Sequence, residues 1–400
     1  MSAGRLYLKP NRDRPIINRH PWIFSGAIRG LEGDPQPGDI IDIRAHDGRF
    51  LARGYWNPHS QIQARALTWD EEAIDDDWWL KTIRRAVTAR AHYNGQADGG
   101  YRLIHAESDY LPGLIVDRYG RFLVMQALTL GIDKRRHLIA DILATLLDVD
   151  GIYERSDADA RKKEGLEIRN AHIWGHEPPE AITITEGGAV KIDVDVYNGH
   201  KTGFYLDQAD NRALLSAHLR AEMPAARVLN LFSYSGGFGL HALTVPGATV
   251  TNVDASLDAL ELAEANIALN GFDAERAEHV QADVFDYLRD IADAGAVYDA
   301  VILDPPKFAQ SKSQVERAAR GYKDINLNAL AVVRPGGYLM TFSCSGAITA
   351  DLFQKIVFGA LVDSGRDAQI VARLNATPDH PIALTFPEGD YLKGLLLRVY

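Results

Sequence analysis

The chain has 400 residues, 46% hydrophobic and 24% charged, and a formal net charge of −11. That length accommodates two or three domains with a sizeable core, and no run of about 18 apolar residues suggests a membrane span. The amino-terminal MSAGRLYLKPNRDRP lacks the apolar stretch of a secretory leader, and the single cysteine, Cys344, excludes a disulfide framework or a multi-thiolate zinc site, so a cytoplasmic protein without a metal is expected.

Residues 1–70 read as strands and turns. Residues 38–44 alternate apolar and polar positions, His46-Asp47-Gly48-Arg49 turns the chain, and residues 50–56 return as a second strand. Ile62, Ala64, Ala66 and Thr68 suggest another, giving a small β-barrel or sandwich. Charge is uneven here. Residues 1–30 carry Arg5, Lys9, Arg12, Arg14, Arg19 and Arg29 against Asp13 alone. An isolated cluster of this kind is usually a solvated face.

From 73 to 190 the pattern is mixed. An acidic stretch, Asp70 to Asp77, leads into a helix with Trp79, Ile83 and Val87 at helical spacing. Residues 102–105, 114–117 and 122–128 look like strands, 134–147 like a helix and 151–154 like a further strand. No chemical motif stands out in this central α+β segment.

From 191 onward strands and helices alternate. Strands are predicted at 227–232, 249–253, 279–282, 299–303 and 338–343, with helices beginning at Gly237, Ser256 and about Tyr322. This rhythm means a parallel sheet with helices on both faces, binding ligands at the carboxyl ends of its strands. Asn230-Leu231-Phe232-Ser233-Tyr234-Ser235-Gly236-Gly237-Phe238-Gly239 joins the first of these strands to its helix. The glycine spacing is not the G-x-G-x-x-G of a dinucleotide fold, and no Walker lysine follows. Acids close three successive strands: Asp254 suits ribose hydroxyls, Asp283 suits an adenine amino group, and Asp304 ends the fourth. A lone aspartate after a strand is usually a cap or turn, but three beside a glycine loop describe an adenosine pocket without phosphate partners. S-adenosylmethionine fits, because its sulfonium cation suits carboxylate-lined walls.

Asp304-Pro305-Pro306-Lys307-Phe308 stiffens the loop after a buried strand, and such a loop can grip a planar base by hydrogen bonds and stacking. Thr341-Phe342-Ser343-Cys344-Ser345-Gly346 ends the next strand, which a doubly wound sheet places beside the first. A lone cysteine is more often a small buried hydrophobe. This one stands in a polar turn near Lys307, Lys312, Arg317, Arg320 and Lys323, whose charges favour a thiolate, so a nucleophile is the preferred reading. This second basic patch, beside the chemical motif, raises the case for a phosphate backbone as partner.

The carboxyl-terminal segment resembles the class I S-adenosylmethionine-dependent methyltransferases. The whole chain resembles bacterial 23S rRNA cytosine-5 methyltransferases. That resemblance rests on Asn18-Arg19-His20-Pro21-Trp22-Ile23-Phe24-Ser25-Gly26, Leu111-Pro112-Gly113-Leu114-Ile115-Val116-Asp117 and Thr202-Gly203-Phe204-Tyr205-Leu206-Asp207-Gln208, with the glycine loop, DPPKF at 304–308, Gly321-Tyr322-Lys323-Asp324-Ile325-Asn326 and 342–346. It implies a multidomain α/β protein: a PUA-like RNA-binding β-barrel (1–72), a central mixed α+β domain (73–190) and a doubly wound, Rossmann-like methyltransferase domain (191–400). It implies 23S ribosomal RNA as partner and admits a homodimer. The cofactor-binding set it implies is Phe204, Gln208, Arg212, Asn230, Phe232, Ser233, Gly236, Asp254, Ala255, Asp283, Val284 and Asp304, with Lys307, Phe308, Tyr322 and Lys323 at the substrate.

The implied chemistry uses Cys344 to add to cytosine C6 and Asp304 to hold the N3/N4 edge. Related RNA enzymes carry a second cysteine where this chain has Lys307, so the base that removes the C5 proton is unassigned. His380, in Asp379-His380-Pro381, is a candidate against the plainer reading of a structural histidine. The competing functions are methylation of a purine or exocyclic nitrogen, which a D-P-P-aromatic loop also serves, and a noncatalytic RNA-binding assembly factor. A nicotinamide dehydrogenase is disfavoured by the glycine spacing.

Overall fold

The structure is a computed structural model that describes residues 2–93 and 98–400. It forms two compact units, the first comprising Met1–Ile184, Val194–Leu206 and Pro378–Gly389 and the second the remainder. The expectation from the sequence is three domains, 1–72, 73–190 and 191–400. The expected first domain and residues 73–184 of the expected second fall in one unit, and two segments of the expected third fall with them.

The first unit opens with a six-stranded sheet of β1 (Gly4–Leu8), β2 (Trp22–Phe24), β3 (Ile28–Gly33), β4 (Ile40–Arg44), β5 (Phe50–Trp56) and β6 (Ile62–Thr68), with the one-turn helix α1 (Arg14–Ile17) after β1. The spatial order is β2-β6-β5-β4-β1-β3. The anticipated hairpin is β4–β5, paired antiparallel from Ile40↔Tyr55 to Arg44↔Phe50. Leu6, Leu8, Ile16, Ile23, Ile41, Ile43 and Leu51 fill its core.

The acidic stretch does start a helix. The Asp75 side chain caps α2 (Asp76–Ala89) by accepting from the Trp78 N–H, with Asp76 and Asp77 at the positive end of the helix dipole. A five-stranded sheet follows: β7 (Gly100–His105), β8 (Leu114–Tyr119), β9 (Phe122–Ala127), β10 (Gly151–Ser156) and β11 (Arg169–Gly175), in order β11-β10-β9-β8-β7. Between β9 and β10 run α3 (Leu130–Asp133) and α4 (Arg136–Leu146), and α5 (Ala160–Lys163) precedes β11. Trp78, Trp79, Ile83 and Val87 of α2 and Ile139, Ile142 and Leu143 of α4 cover this sheet.

Tyr55 of β5 explains why the two sheets share one unit. Its fully buried ring belongs to the core of the central sheet, and its hydroxyl donates to the Pro112 carbonyl at 2.8 Å and bonds Thr129 Oγ1 at 2.8 Å. A Cβ on Gly131 would lie 2.2 Å from that ring, so only glycine fits there. Arg65 and Glu164 add a buried ion pair at 2.8 Å.

Buried charge also fixes the two returning segments. Arg102 forks onto Asp117 with two bonds of 2.8 Å, and Asp117 accepts a third from Thr202 Oγ1 at 2.6 Å. Arg102 N–H donates to Asp379 at 2.7 Å, and Arg90 pairs with Asp109 at 2.6 Å.

The hairpin β12 (Ile182–Glu186) and β13 (Val190–Val194) precedes the seven-stranded sheet of the second unit. The sheet contains β14 (Arg227–Leu231), β15 (Thr249–Asp254), β16 (Ala277–Gln281), β17 (Tyr298–Leu303), β18 (Val333–Ser343), β19 (Ala368–Asn375) and β20 (Lys393–Val399), in order β16-β15-β14-β17-β18-β20-β19. Helices α6 (Ala209–Glu222), α7 (Gly237–Leu243), α8 (Leu257–Leu269), α9 (Val284–Asp293), α10 (Val315–Val332) and α11 (Ala350–Ser364) separate the strands. The strands β14 to β18 are parallel, as the alternation predicts. The pair β19–β20 runs antiparallel and was not anticipated. Helix α10 begins at Val315, a full two turns before the expected start. Among the described residues no helix is long and apolar enough to cross a membrane.

Asp117→Ala leaves the Arg102 guanidinium buried without its partner, and a loss of about 3–5 kcal/mol in unfolding free energy is expected. Denaturant titration reads it, and adding Arg102→Met should recover most of the loss.

Candidate active site

The strand order reverses between β14 and β17, so the crevice opens where both end. From β14 the chain enters the glycine loop with positive φ at Phe232 (58°), Tyr234 (47°) and Gly236 (81°). Three such residues in five make a tight turn that two non-glycine side chains enter at a steric cost. The loop is tied down from the next strand: Tyr234 N–H donates to Asp254 Oδ2 at 2.8 Å, and Ser256 N–H to Asp254 Oδ1 at 3.0 Å. Gly239 serves packing, since a Cβ there would sit 2.6 Å from Asn252 Oδ1. The next acid, Asp283, caps α9 by accepting from the N–H groups of Phe285 and Asp286 through Oδ1.

Several buried polar atoms have no partner among the described residues: Ser233 Oγ, Ser235 Oγ and, at the start of α6, Gln208 Nε2. Each costs free energy unless a ligand or water satisfies it. Hydroxyls on the loop that half-buried Asp254 fixes, and an amide N–H at the start of α6, fit a zwitterionic, adenosine-bearing cofactor better than a phosphate, which would call for cations.

The second half of the site comes from β17 and β18. Their parallel register sets Leu303 beside Thr341, so Asp304 and Cys344 leave adjacent strand ends. Cys344 is partly exposed, and its Sγ lies 3.9 Å from the Pro305 carbonyl oxygen, within reach of an S–H donor. The proximity expected for these two motifs is present. Phe308 stacks obliquely on Tyr322 with ring centroids 4.5 Å apart, and Phe285 lies 5.7 Å from Phe308 and 6.4 Å from Phe232. An aromatic row thus connects the glycine loop to the proline loop. Lys307 is exposed on that loop.

Several residues of the expected set make contacts within the protein. Tyr322 is fully buried, and its hydroxyl bonds Ser343 Oγ at 2.9 Å and Ser345 Oγ at 3.0 Å, so it supports the Cys344 turn from within the fold. Burial pushes its phenol pKa up. Lys323 pairs with Asp363 of α11 at 2.7 Å. Asn230 Nδ2 donates to Asn252 Oδ1 at 2.8 Å, and the Val284 side chain is buried in the hydrophobic core. Arg212, 2% exposed, forks onto Glu186. Ala255 is exposed after β15. Phe204 belongs to the first unit, where its N–H faces the Tyr119 hydroxyl at 3.2 Å. His380 also lies there, 4% exposed and 2.8 Å from Asp379, which is the structural reading.

Sequence reasoning missed Glu186 and His241. Glu186 of β12 holds Arg212 of α6 and lies 2.8 Å from His241 Nε2 of α7, joining three elements behind the glycine loop. No local motif announces it, because the partners come from three separate elements.

Comparison with known proteins agrees with this geometry. A PUA-like domain model matches residues 6–69, and an S-adenosylmethionine-dependent methyltransferase model matches residues 168–398. The chain belongs to the S-adenosylmethionine-dependent methyltransferases. It is 48% identical over 398 residues to "Ribosomal RNA large subunit methyltransferase I" of Shewanella amazonensis, covering 99% of both chains. The protein of the same name in Aeromonas salmonicida is 50% identical over 395 residues, covering 98% of each. Among solved structures, a candidate SAM-dependent methyltransferase from Streptococcus mutans superposes with a TM-score of 0.84 at 21% identity, over 98% of this chain and 99% of that one. A second structure with the same score is a candidate methyltransferase complexed with SAH. The methyltransferase therefore has an amino-terminal PUA-like domain, a doubly wound carboxyl-terminal domain and S-adenosylmethionine as its cofactor.

Burial alone would raise the Glu186 carboxyl, but Arg212 and His241 outweigh it and hold the group at about 2, against an ordinary 4.5. A depressed folded value stabilises the fold above pH 4.5, and that contribution is lost as the pH falls towards 2. Glu186→Gln is expected to lower the melting temperature at pH 7 and to flatten its decline between pH 4.5 and 2, as read by calorimetric scans at each pH.

Proposed function

We propose that this methyltransferase forms 5-methylcytosine in 23S ribosomal RNA through a covalent Cys344 adduct at cytosine C6. The observation that carries this reading is the position of Cys344 Sγ, partly exposed at a strand end beside the Asp304-Pro305 loop. Two relatives at about half identity over nearly the whole chain carry large-subunit ribosomal RNA in their names.

When bound, S-adenosylmethionine supplies the electrophilic methyl group. Asp254 at the end of β15 and Asp283 at the end of β16 would hold its ribose and adenine, with Ser233 and Gln208 offering the donors that have no partner among the described residues. Cytosine C5 is a poor nucleophile by itself. The Cys344 thiolate adds to C6, forming a C–S bond and moving electron density onto C5. C5, so activated, would take the methyl group and leave the sulfonium a neutral thioether; a base would then take the C5 proton, and the electrons of the C5–H bond would expel the thiolate. Asp304 would hold the N3/N4 edge, while Pro305 and Pro306 restrict the loop that carries it. Phe308, resting on Tyr322, offers a surface for the extruded base.

The PUA-like domain supports an RNA partner. A cavity of about 420 Å³ there is bordered by Asn11, Arg12, Trp22 and Phe24. Phe24 is 51% exposed, and Arg12, Arg14, Arg19 and Arg29 all face solvent. Exposed guanidinium groups beside an aromatic ring suit phosphates and an unstacked base.

Cys344→Ala is expected to abolish 5-methylcytosine in 23S rRNA, by mass spectrometry of rRNA from complemented null cells, while S-adenosylmethionine binding is kept. Near-normal methylation would instead favour an exocyclic-nitrogen target, which needs no adduct. Asp254→Ala removes the acceptor that fixes the glycine loop and should weaken S-adenosylmethionine binding at least about tenfold, the loss of a charge-assisted hydrogen bond; isothermal calorimetry measures it.

A further inference from the structure

A buried cation stands behind the Cys344 turn, and the chemistry above does not use it. Lys393 opens β20 directly opposite Ser343, the last residue of β18, and is only 6% exposed. Its Nζ donates to the carbonyl oxygens of Ser345 at 3.0 Å and Ile348 at 2.8 Å. Those carbonyls bracket the turn that follows Cys344, which Ile348 N–H closes onto Ser345 O at 3.0 Å. The next residue, Gly394, allows no drift: a Cβ there would lie 2.4 Å from the Phe342 ring and 3.0 Å from Thr341 O. The strand carrying Lys393 is therefore pressed against the strand carrying Cys344.

Both hydrogen bonds go to neutral carbonyls, an expensive way to keep an ammonium out of water. Burial pushes its pKa down, Asp390 and Cys344 favour the charged form, and Lys307 opposes it. The attraction is mutual, so an ammonium that gains from a thiolate stabilises that thiolate equally. Around the sulfur and this ammonium the titratable groups are Asp304 and Lys307 after β17, Tyr322 on α10, and Asp390 beside Lys393. Lys307 is exposed and screened by solvent, whereas Lys393 is enclosed.

We propose that Lys393 is a positioning residue for Cys344: its ammonium clasps the turn behind the sulfur and supplies the fixed positive charge that favours the thiolate. This inference rests on the reading of Cys344 as the nucleophile. Lys393 forms no bond to substrate and keeps its proton throughout, and the thiol proton leaves to solvent.

The chain has one cysteine, so iodoacetamide alkylation of the full-length protein reports on Cys344 alone. Lys393→Gln keeps amide donors for the two carbonyls and removes the charge, and Lys393→Arg keeps the charge. In Lys393→Gln the midpoint of the alkylation profile should move up by about one pH unit, slowing modification near pH 7 about tenfold. The pH profile of rRNA methylation should move with it, S-adenosylmethionine binding should stay at the wild-type level, and Lys393→Arg should restore most of the reactivity. A Lys393→Gln protein that binds S-adenosylmethionine normally and alkylates with the wild-type profile would overturn the proposal. So would a wild-type thiol that titrates at or above the ordinary value of about 8.5, a measurement that needs no variant. Persistent methylation by Cys344→Ala would sink the nucleophile reading and leave the alkylation profiles untouched, so the two failures are separable.

Discussion

The parallel pairing of β17 with β18 is the constraint from which the site is built. Both strands are buried where they pair, with Ala300 to Leu303 and Tyr338 to Phe342 almost free of solvent contact, so slippage would expose apolar surface on either side. With Leu303 fixed beside Thr341, the residues just beyond, Asp304 and Cys344, have little freedom in where they emerge. Antiparallel β20 then locks β18 from its other edge and brings Lys393 opposite Ser343. The acid, the sulfur and the ammonium are separated by up to 89 residues in sequence and collected by two neighbouring strand pairings.

Most of the second unit was legible because its signals are local. The apolar runs at 227–232 and 299–303 are buried parallel strands, Ser256 caps α8 through its Oγ, and Gly271 follows that helix at a φ of 65°. The Asp304 and Cys344 neighbourhood followed from strand order alone. Features that depend on distant partners were not legible. Tyr322 sits in a family motif, yet its ring faces the core because residues 322, 325 and 329 share one buried stripe of α10. Arg212 is paired with Glu186, from a hairpin 26 residues earlier, a partner no local pattern announces. The antiparallel pair β19–β20 escaped because residues 378–389 leave the second unit between those two strands.

The division into compact units depends on distant partners too. Composition marks where the alternation of strands and helices begins, but not which core a returning segment joins. Thr202 is held by the buried Asp117 carboxylate of the central sheet, and Asp379 accepts from the Arg102 backbone N–H of the same sheet, partners that neither local sequence announces. A buried acid with a forked arginine has few alternative positions, so such pairs fix chain path more sharply than apolar contacts do.

The same pairs explain why the net charge of −11 is a poor guide to partners. Asp109, Asp117, Glu164 and Glu186 are all enclosed and matched by Arg90, Arg102, Arg65 and Arg212, so these acids and bases cancel inside the protein. What a polyanion would meet is the exposed remainder, which differs from place to place. Arg12, Arg14 and Arg29 face solvent in the PUA-like domain, and Lys307, Lys312 and Arg317 face it on and beyond the proline loop. Glu316 already claims Arg320, and Asp363 claims Lys323, which trims the second patch without removing it. An acidic protein can therefore present basic ground to a phosphate backbone at two places, because a field within a Debye length of the surface is set by nearby exposed charges and not by the sum over the chain.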